Sequence, residues 1–179
     1  MRGMRKVILG LGMSLDGYIA RPNGTLDFLF VPKDYSMGPF FTTIDAELMG
    51  RKTYEAALKM GGAFGGRKTK SYVFSRMQPP GERNGVTFVN ETPGALVAQL
   101  REQRGKNIWL MGGGELARAF LKEDLVDELY LGIVPVLLGE GIPLFPSVFP
   151  QRDFSLLENK SYSKGLISLK YARARKKMK

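Results

Sequence analysis

The stretch Asn107-Ile108-Trp109-Leu110-Met111-Gly112-Gly113-Gly114-Glu115-Leu116 sets three consecutive glycines between an apolar run and a helix-forming run. Glycine forfeits side-chain packing and adds unfolded-state entropy, so stability alone does not account for the run. What it suits is close approach of backbone to a ligand. Successive N–H groups at a helix start can turn toward an anion, where the dipole favours negative charge. A tight strand-to-helix turn is the plainer reading, and one or two glycines would serve it.

A second junction of the same kind lies upstream, in Leu48-Met49-Gly50-Arg51-Lys52-Thr53-Tyr54-Glu55. Arg51, Lys52 and Thr53 fall in the first helical turn, where the dipole is already positive and cations are disfavoured. A bound phosphate would reverse that penalty, meeting helix N–H groups, an Arg fork and a hydroxyl; a solvated basic turn is the alternative. Val73-Phe74-Ser75-Arg76 puts another hydroxyl and cation at a third strand end. Three such ends imply a ligand with several phosphates lying across strand C-termini, where open α/β sheets bind dinucleotides. The extra cations favour NADPH over NADH.

Two familiar phosphate motifs fail on inspection. Gly112-x-Gly114-x-x-Ala117 formally fits the relaxed Rossmann fingerprint. It lies in the last half of the chain, however, and the strand after it ends in Val136-Leu137-Leu138-Gly139 rather than an acid. Gly66-Arg67-Lys68-Thr69 imitates the end of a P-loop, but Arg67 intrudes between Gly and Lys.

The chain has no His and no Cys, which removes an imidazole base, a thiolate nucleophile, a disulfide framework and the usual zinc ligands. Chemistry then falls to carboxylates, Lys, Tyr, hydroxyls, backbone amides or an organic cofactor. Asp16 and Asp27 are the carboxylates nearest the loop of residues 14–24, and either suits hydrogen bonding to a ring or a proton relay through water. Asp16 also reads as a turn aspartate capping its own loop, and Asp27 as a helix N-cap ahead of Phe28-Leu29-Phe30. Tyr18, Tyr35, Phe40 and Phe41 suit either a planar-substrate pocket or the core.

The elements that must position these groups alternate along the chain. Residues 6–13 read as a buried strand, leading into a loop over residues 14–24 ordered by Asp-Gly and Asn-Gly turns rather than by helix or sheet. A short helix within residues 34–44, a strand over 46–49 and a helix over 52–60 follow, then a Gly-rich loop over 61–66. Residues 70–75 and 86–89 are β-type runs separated by a Pro-Pro-Gly turn region. Residues 93–104 form an amphipathic helix with Thr92 as N-cap and Gly105 beyond its end. After the glycine junction comes a helix over 115–122, then an apolar strand over 129–138 that Pro135 interrupts. Residues 154–161 and 166–172 read as an antiparallel pair joined at Lys164-Gly165. The pattern predicts one α/β domain with a mostly parallel central sheet flanked by helices and an antiparallel C-terminal hairpin.

With the motifs in order, a resemblance emerges. Ser14-Leu15-Asp16-Gly17-Tyr18-Ile19-Ala20, Leu48 through Glu55, Leu110-Met111-Gly112-Gly113-Gly114, Val126-Asp127-Glu128-Leu129 and the run from Pro135 to Phe145 together resemble the dihydrofolate reductase-like superfamily. Within it they are most similar to the C-terminal reductase domain of bacterial riboflavin biosynthesis (the RibD C-terminal type), from about Lys6 to Ala172. The resemblance implies a dihydrofolate reductase-like fold, commonly a homodimer, and NADPH-dependent reduction of a heterocyclic or ribosylamino substrate, as by 5-amino-6-(5-phosphoribosylamino)uracil reductase. It implies that Gly50, Arg51, Lys52 and Thr53 meet the adenosine-side phosphates, with Ser75 and Arg76 beside the adenine ribose phosphate. Gly112, Gly113, Gly114, Glu115 and Leu116 would pass the pyrophosphate and nicotinamide half. The backbone of Gly10, Leu11 and Gly12 would lie near the nicotinamide, and Ser14 and Asp16 would address substrate. Dihydrofolate reduction is the second enzymatic reading. Dihydrofolate reductases usually carry a loop Trp and an acid on the first helix, whereas Trp109, the sole Trp, precedes the glycines. The riboflavin enzyme is typically fused to a zinc deaminase domain, which these 179 residues do not read as containing.

Composition bounds the rest. At 179 residues, 44% apolar and 25% charged, the chain reads as a single soluble domain of the cytoplasm, without a membrane partner. The net charge of +10 is concentrated at the C-terminus, in Lys170, Arg173, Arg175, Lys176, Lys177 and Lys179. Residues 173–179 read as a solvated basic tail. A nucleotide-binding protein without turnover, using that tail on nucleic acid, is the reading from another class. It lacks a helix-turn-helix or an interleaved aromatic stripe.

Overall fold

The structure, a computed structural model, describes residues 4–62 and 68–174. The P-loop imitation at Gly66 and Arg67, most of the Gly-rich loop and residues 175–179 of the basic tail lie outside the described residues.

Nine strands form one sheet in the order β10-β11-β8-β1-β7-β3-β4-β6-β5. Its middle is parallel: β1 (Val7–Ser14), β3 (Ile44–Gly50), β4 (Lys70–Phe74), β6 (Val86–Val89), β7 (Asn107–Gly112) and β8 (Glu128–Val134). Both edges are antiparallel, with β5 (Gly81–Arg83) on β6 at one side and β11 (Ile167–Arg173) and β10 (Phe154–Ser161) beyond β8 at the other. The mostly parallel sheet and the C-terminal hairpin are as the alternation predicts. Lys164 and Gly165 turn that hairpin with φ of 59° and 79°.

Strand periodicity sorts the two faces. Val7, Leu9, Ala46, Leu48, Ile108, Leu110, Leu129 and Leu131 point to one face, under α3 (Pro93–Glu102) and α4 (Gly114–Lys122). These helices supply Leu96, Val97, Leu100, Ala117, Phe120 and Leu121 at helical spacing. Thr92 caps α3, its Oγ1 accepting from the Ala95 N–H at 3.3 Å. On the opposite face α2 (Arg51–Lys59) lays Tyr54 against Met49, Val73, Val86 and Phe88, and α1 (Gly38–Thr42) carries Phe40 and Phe41 toward β7 and β8. Buried Arg5 joins β1 to its neighbours: it pairs with Asp45 and donates to the carbonyls of Leu100 (2.8 Å) and Lys106 (2.7 Å). Among the described residues no helix is long and apolar enough to cross a membrane.

Several local expectations give way. The loop after β1 contains a strand, β2 (Tyr18–Ala20), paired with β9 (Ile142–Pro143); a three-residue strand has too little alternation to read. The apolar run after α4 stops being a strand at Val134, because Pro135 has no N–H for the ladder. The Pro-Pro-Gly region continues into β5, which Asn84 and Gly85 turn back onto β6 with φ of 51° and 75°. Helix α3 ends at Glu102, so Gly105 is no helix cap; its missing Cβ leaves room for Asp45 and Arg5. No helix follows Asp27, which rules out its N-cap role. Arg173 belongs to β11 and, like Lys170, is paired, with Asp124 and Glu128 respectively, so neither is a free tail cation.

Candidate functional site

Helices α2 and α4, each of nine residues, start from adjacent strands β3 and β7, whose register sets Met49 opposite Gly112. A Cβ built on Gly50 would lie 3.9 Å from the Gly112 carbonyl, and one on Gly113 would lie 3.5 Å from Thr53 Oγ1. The two junctions named from sequence are therefore side by side. Neither helix start has a side-chain cap, and α2 has no acid in its first turn. Two sets of free N–H groups thus open on one spot, with the positive ends of both dipoles behind them. Around it, Arg51 reaches Glu55 Oε1 at 2.6 Å while Lys52 is exposed and makes no ion pair among the described residues. The exposed Arg51 pair is worth about 0.3–0.5 kcal/mol, little enough to exchange for a phosphate.

The three glycines have three different reasons. Gly112 adopts φ of +93°, which side chains resist. Gly114 is buried, and a Cβ there would strike the Pro143 carbonyl, so protein packing and not a ligand claims its space. Only Gly113, with φ of −73°, faces the gap between Thr53 Oγ1 and Ile19 Cδ1. Of the residues beyond them, Glu115 pairs with Arg118 and Leu116 packs on the core. At the third strand end the Ser75 hydroxyl accepts from the N–H groups of Met77 (3.2 Å) and Gln78 (3.0 Å), which leaves Arg76 as the exposed cation.

The loop after β1 is zipped to residues 136–144. Besides the β2–β9 pairing, Leu15 N–H donates to Val136 O (2.8 Å) and Leu144 N–H to Gly17 O (3.0 Å). The Asp16 carboxylate accepts from Ser14 Oγ (2.6 Å) and from the N–H groups of Leu138 (3.0 Å) and Gly139 (2.8 Å). Ser14, fully buried, accepts in turn from Tyr18 N–H at 2.9 Å. The Ser14 hydroxyl, aided by the two backbone donors, holds Asp16 below the usual carboxylate range. Asp16 is thus an ionised loop tie and a poor acid near neutrality. Asp27 is not brought to this place: it forks onto Arg21 at 2.6 and 2.9 Å in an exposed loop, and that guanidinium lowers its pKa.

Beside the junctions, on the face away from α3 and α4, the rings gather. Phe40 stacks on Tyr130 at 5.1 Å and meets Trp109 edge-on at 5.7 Å, while Trp109 Nε1 donates to Gly10 O at 2.7 Å. Gly10 and Gly12 make room for this layer: Cβ atoms there would lie 3.4 Å from Phe40 Cζ and 3.2 Å from Leu29 Cδ2. Tyr35 packs edge-on to Tyr162 at 5.0 Å, and burial raises its phenol pKa, with Tyr130 adding to the effect. Phe41 touches Trp109 at 5.4 Å but is about half exposed. Tyr18 belongs elsewhere, against Gly141 in the zipped loops. Sequence spacing did not single out Trp109 or Tyr130 for this layer, since neither lies in a helix or loop that signals a site.

The model of the RibD C-terminal domain matches residues 5–168. The chain belongs to that family. Relatives of this RibD C-terminal domain protein include two from Bacillus subtilis strain 168. The uncharacterized protein YwjB is 36% identical, with 95% of this chain and 99% of the relative covered. The uncharacterized protein YyaP is 32% identical, with 93% and 94% covered. Among solved structures, a candidate riboflavin biosynthesis protein from Shewanella sp. PV-4 is 29% identical with a TM-score of 0.82, covering 95% of this chain and 99% of that one. The diaminohydroxyphosphoribosylaminopyrimidine deaminase/5-amino-6-(5-phosphoribosylamino)uracil reductase of Thermotoga maritima shares the fold at 16% identity and a TM-score of 0.73. It covers 96% of this RibD C-terminal domain chain and 57% of its own.

Proposed function

We propose that this protein is an NADPH-dependent reductase of a ribosylamino-pyrimidine, converting a ribosylamino to a ribitylamino group or acting on a close relative of that substrate. The observation that carries the reading is the pair of adjacent, uncapped helix starts at Gly50 and Gly113. Their donor set fits a pyrophosphate: backbone N–H groups, the Thr53 hydroxyl, and Arg51 and Lys52 in the first turn of α2. Exposed Arg76, beyond the next strand, suits the further phosphate of NADPH. NADPH, when bound, supplies the hydride. The chain's own part is to fix the ring over the ends of β1 and β7 and to restrict solvent there with the zipped loops, the proton coming from a water admitted beside the ring. Asp16, kept ionised by Ser14, orders the loop instead of giving up a proton.

A pterin substrate is the weaker reading. α1 contains no acid, Asp27 is taken by Arg21, and Asp34 is taken by the N–H and hydroxyl of Ser163 at 2.8 and 2.7 Å. A basic-tail nucleic-acid binder would have fewer cations to use than its sequence suggests, since Lys170 and Arg173 are spent on ion pairs. Isothermal titration with NADPH, NADH and a short DNA duplex separates the classes. Tighter binding of NADPH than of NADH is expected; no NADPH binding below about 1 mM, some 4 kcal/mol, sinks the reductase reading.

A further inference from the structure

The parallel strands β1, β3, β4 and β7 begin at the end of the sheet remote from the starts of α2 and α4, and two clefts meet there. Open α/β sheets hold their ligands at strand C-termini, so this end is separate from the cofactor junctions. Asp45 and Gly50 lie about 16 Å apart along β3. The smaller cleft, about 100 Å³, has Lys68, Lys70, Gln103 and Arg104 around Arg5 and Asp45. The larger, about 590 Å³, shares Arg5, Gln103 and Arg104 and continues past Met4, Arg101 and Glu102.

The charges of the two clefts divide into a neutral floor and a basic rim. Arg5 pairs with Asp45, whose other oxygen accepts from the Lys106 N–H at 2.8 Å. Arg101 reaches Asp127 at 2.6 Å and the Arg5 carbonyl at 3.2 Å. By contrast, Lys68, Lys70 and Arg104 are exposed and make no ion pair among the described residues. Like charges around one small cleft repel. A cation beyond a helix C-terminus is favoured by the dipole, and α3 ends at Glu102. That accounts for Arg104 at most, and weakly, because the Leu100 carbonyl already accepts from Arg5 (2.8 Å) and from the Gln103 N–H (3.3 Å). Lys68 and Lys70 arrive on another segment, the entry to β4, where no such reason applies. Cations from two segments converging on one cleft are explained by an anion between them.

We propose that the paired clefts bind a sugar phosphate, with the phosphate held by Lys68, Lys70 and Arg104 and the sugar in the larger cleft. The smaller space equals roughly three waters at about 30 Å³ each, enough for one phosphate group. The larger falls within the range of about 300–1,000 Å³ usual for small-molecule sites. Glu102 and Gln103 border it, and a carboxylate beside an amide suits neighbouring hydroxyls. The same Glu102 repels a second phosphate, so the ligand carries its negative charge at one end. This site stands apart from the reductase reading and does not depend on it.

The test follows backbone amide resonances of the ¹⁵N-labelled full chain during titration with ribose 5-phosphate, with inorganic phosphate and ribose as comparisons at constant ionic strength. The largest shifts are expected at Lys70, Gln103, Arg104 and Gly105. Ribose 5-phosphate is expected to bind about tenfold more tightly than inorganic phosphate. Lys70→Ala and Arg104→Ala should each weaken it about fivefold, and Arg104→Glu at least tenfold. Without ligand, at low salt, both alanine variants are expected to melt no lower than wild type, since each relieves repulsion. Shifts confined to residues 50–53 and 112–116 put the phosphate at the starts of α2 and α4 and overturn the site. Wild-type affinity in Arg104→Glu does the same, as does inorganic phosphate binding as tightly as the sugar phosphate. A lower melting temperature with unchanged affinity in Arg104→Ala assigns that residue to the dipole of α3 instead. A short DNA duplex that shifts the same amides and displaces ribose 5-phosphate at lower concentration replaces the small molecule with nucleic acid.

Discussion

Gly113 and Gly114 are neighbours with opposite obligations. A methyl group on Gly114 meets the Pro143 carbonyl and Pro146 Cδ, so Gly114→Ala forces the zipped loops away from α4. Overpacking of this kind costs about 1–3 kcal/mol, readable as a lower urea midpoint at unchanged slope. Gly113 has φ of −73° and ordinary van der Waals room, so Gly113→Ala keeps the unfolding free energy within about 0.5 kcal/mol of wild type. Its methyl group projects between the two helix starts, and NADPH affinity falls instead. Equal loss of stability in both variants refutes the division. The glycine run was legible in the sequence as a place of close approach. What approaches was not, since the atom against Gly114 comes from Pro143, 29 residues away, and no spacing rule reveals it. The same limit explains Asp27, whose type suits catalysis but whose neighbour Arg21 claims it.

At the scale of elements, long strands and helices were readable: β7 alternates and α4 repeats as burial requires, while β1 and β3 read as apolar runs buried on both faces. Elements held by partners were not. β2 and β9 have three and two residues and exist because each pairs with the other. Asp16 strengthens that pairing, and its pKa gives the pairing a pH dependence. The folded pKa lies below the ordinary 3.8. Ionised Asp16 therefore contributes stability fully above that value and loses it as pH falls through the folded pKa. Asp16→Ala is expected to lower the melting temperature at pH 7, and the gap from wild type is expected to narrow below about pH 3.8. Melting curves across pH 7 to about 2.5 read the trend. A gap that stays constant, or widens in acid, removes the ionised tie.

Over the whole molecule, the sheet order decides how the parts combine, and order was the least legible feature. Alternating strands and helices imply a parallel sheet, but they do not say that β1 lies between β7 and β8 or that the last two strands extend the sheet beyond β8. That placement brings the uncapped starts of α2 and α4 to one side of β1 and puts β8 and β11 on the other. A ligand that bridges β3 and β7 binds only the folded sheet, so it must stabilise the chain by mass action. At a concentration 100 times its Kd the gain is about 2.7 kcal/mol, which for a domain of this size raises Tm by about 5–10 °C. NADH at the same concentration is expected to give a clearly smaller shift, because Arg76 would lose the additional phosphate. Raising salt from about 0.05 to 0.5 M should shrink the difference between the two cofactors, since Arg76 is exposed and screened. Equal shifts at low salt would leave the pyrophosphate grip in place and remove the basis for preferring NADPH.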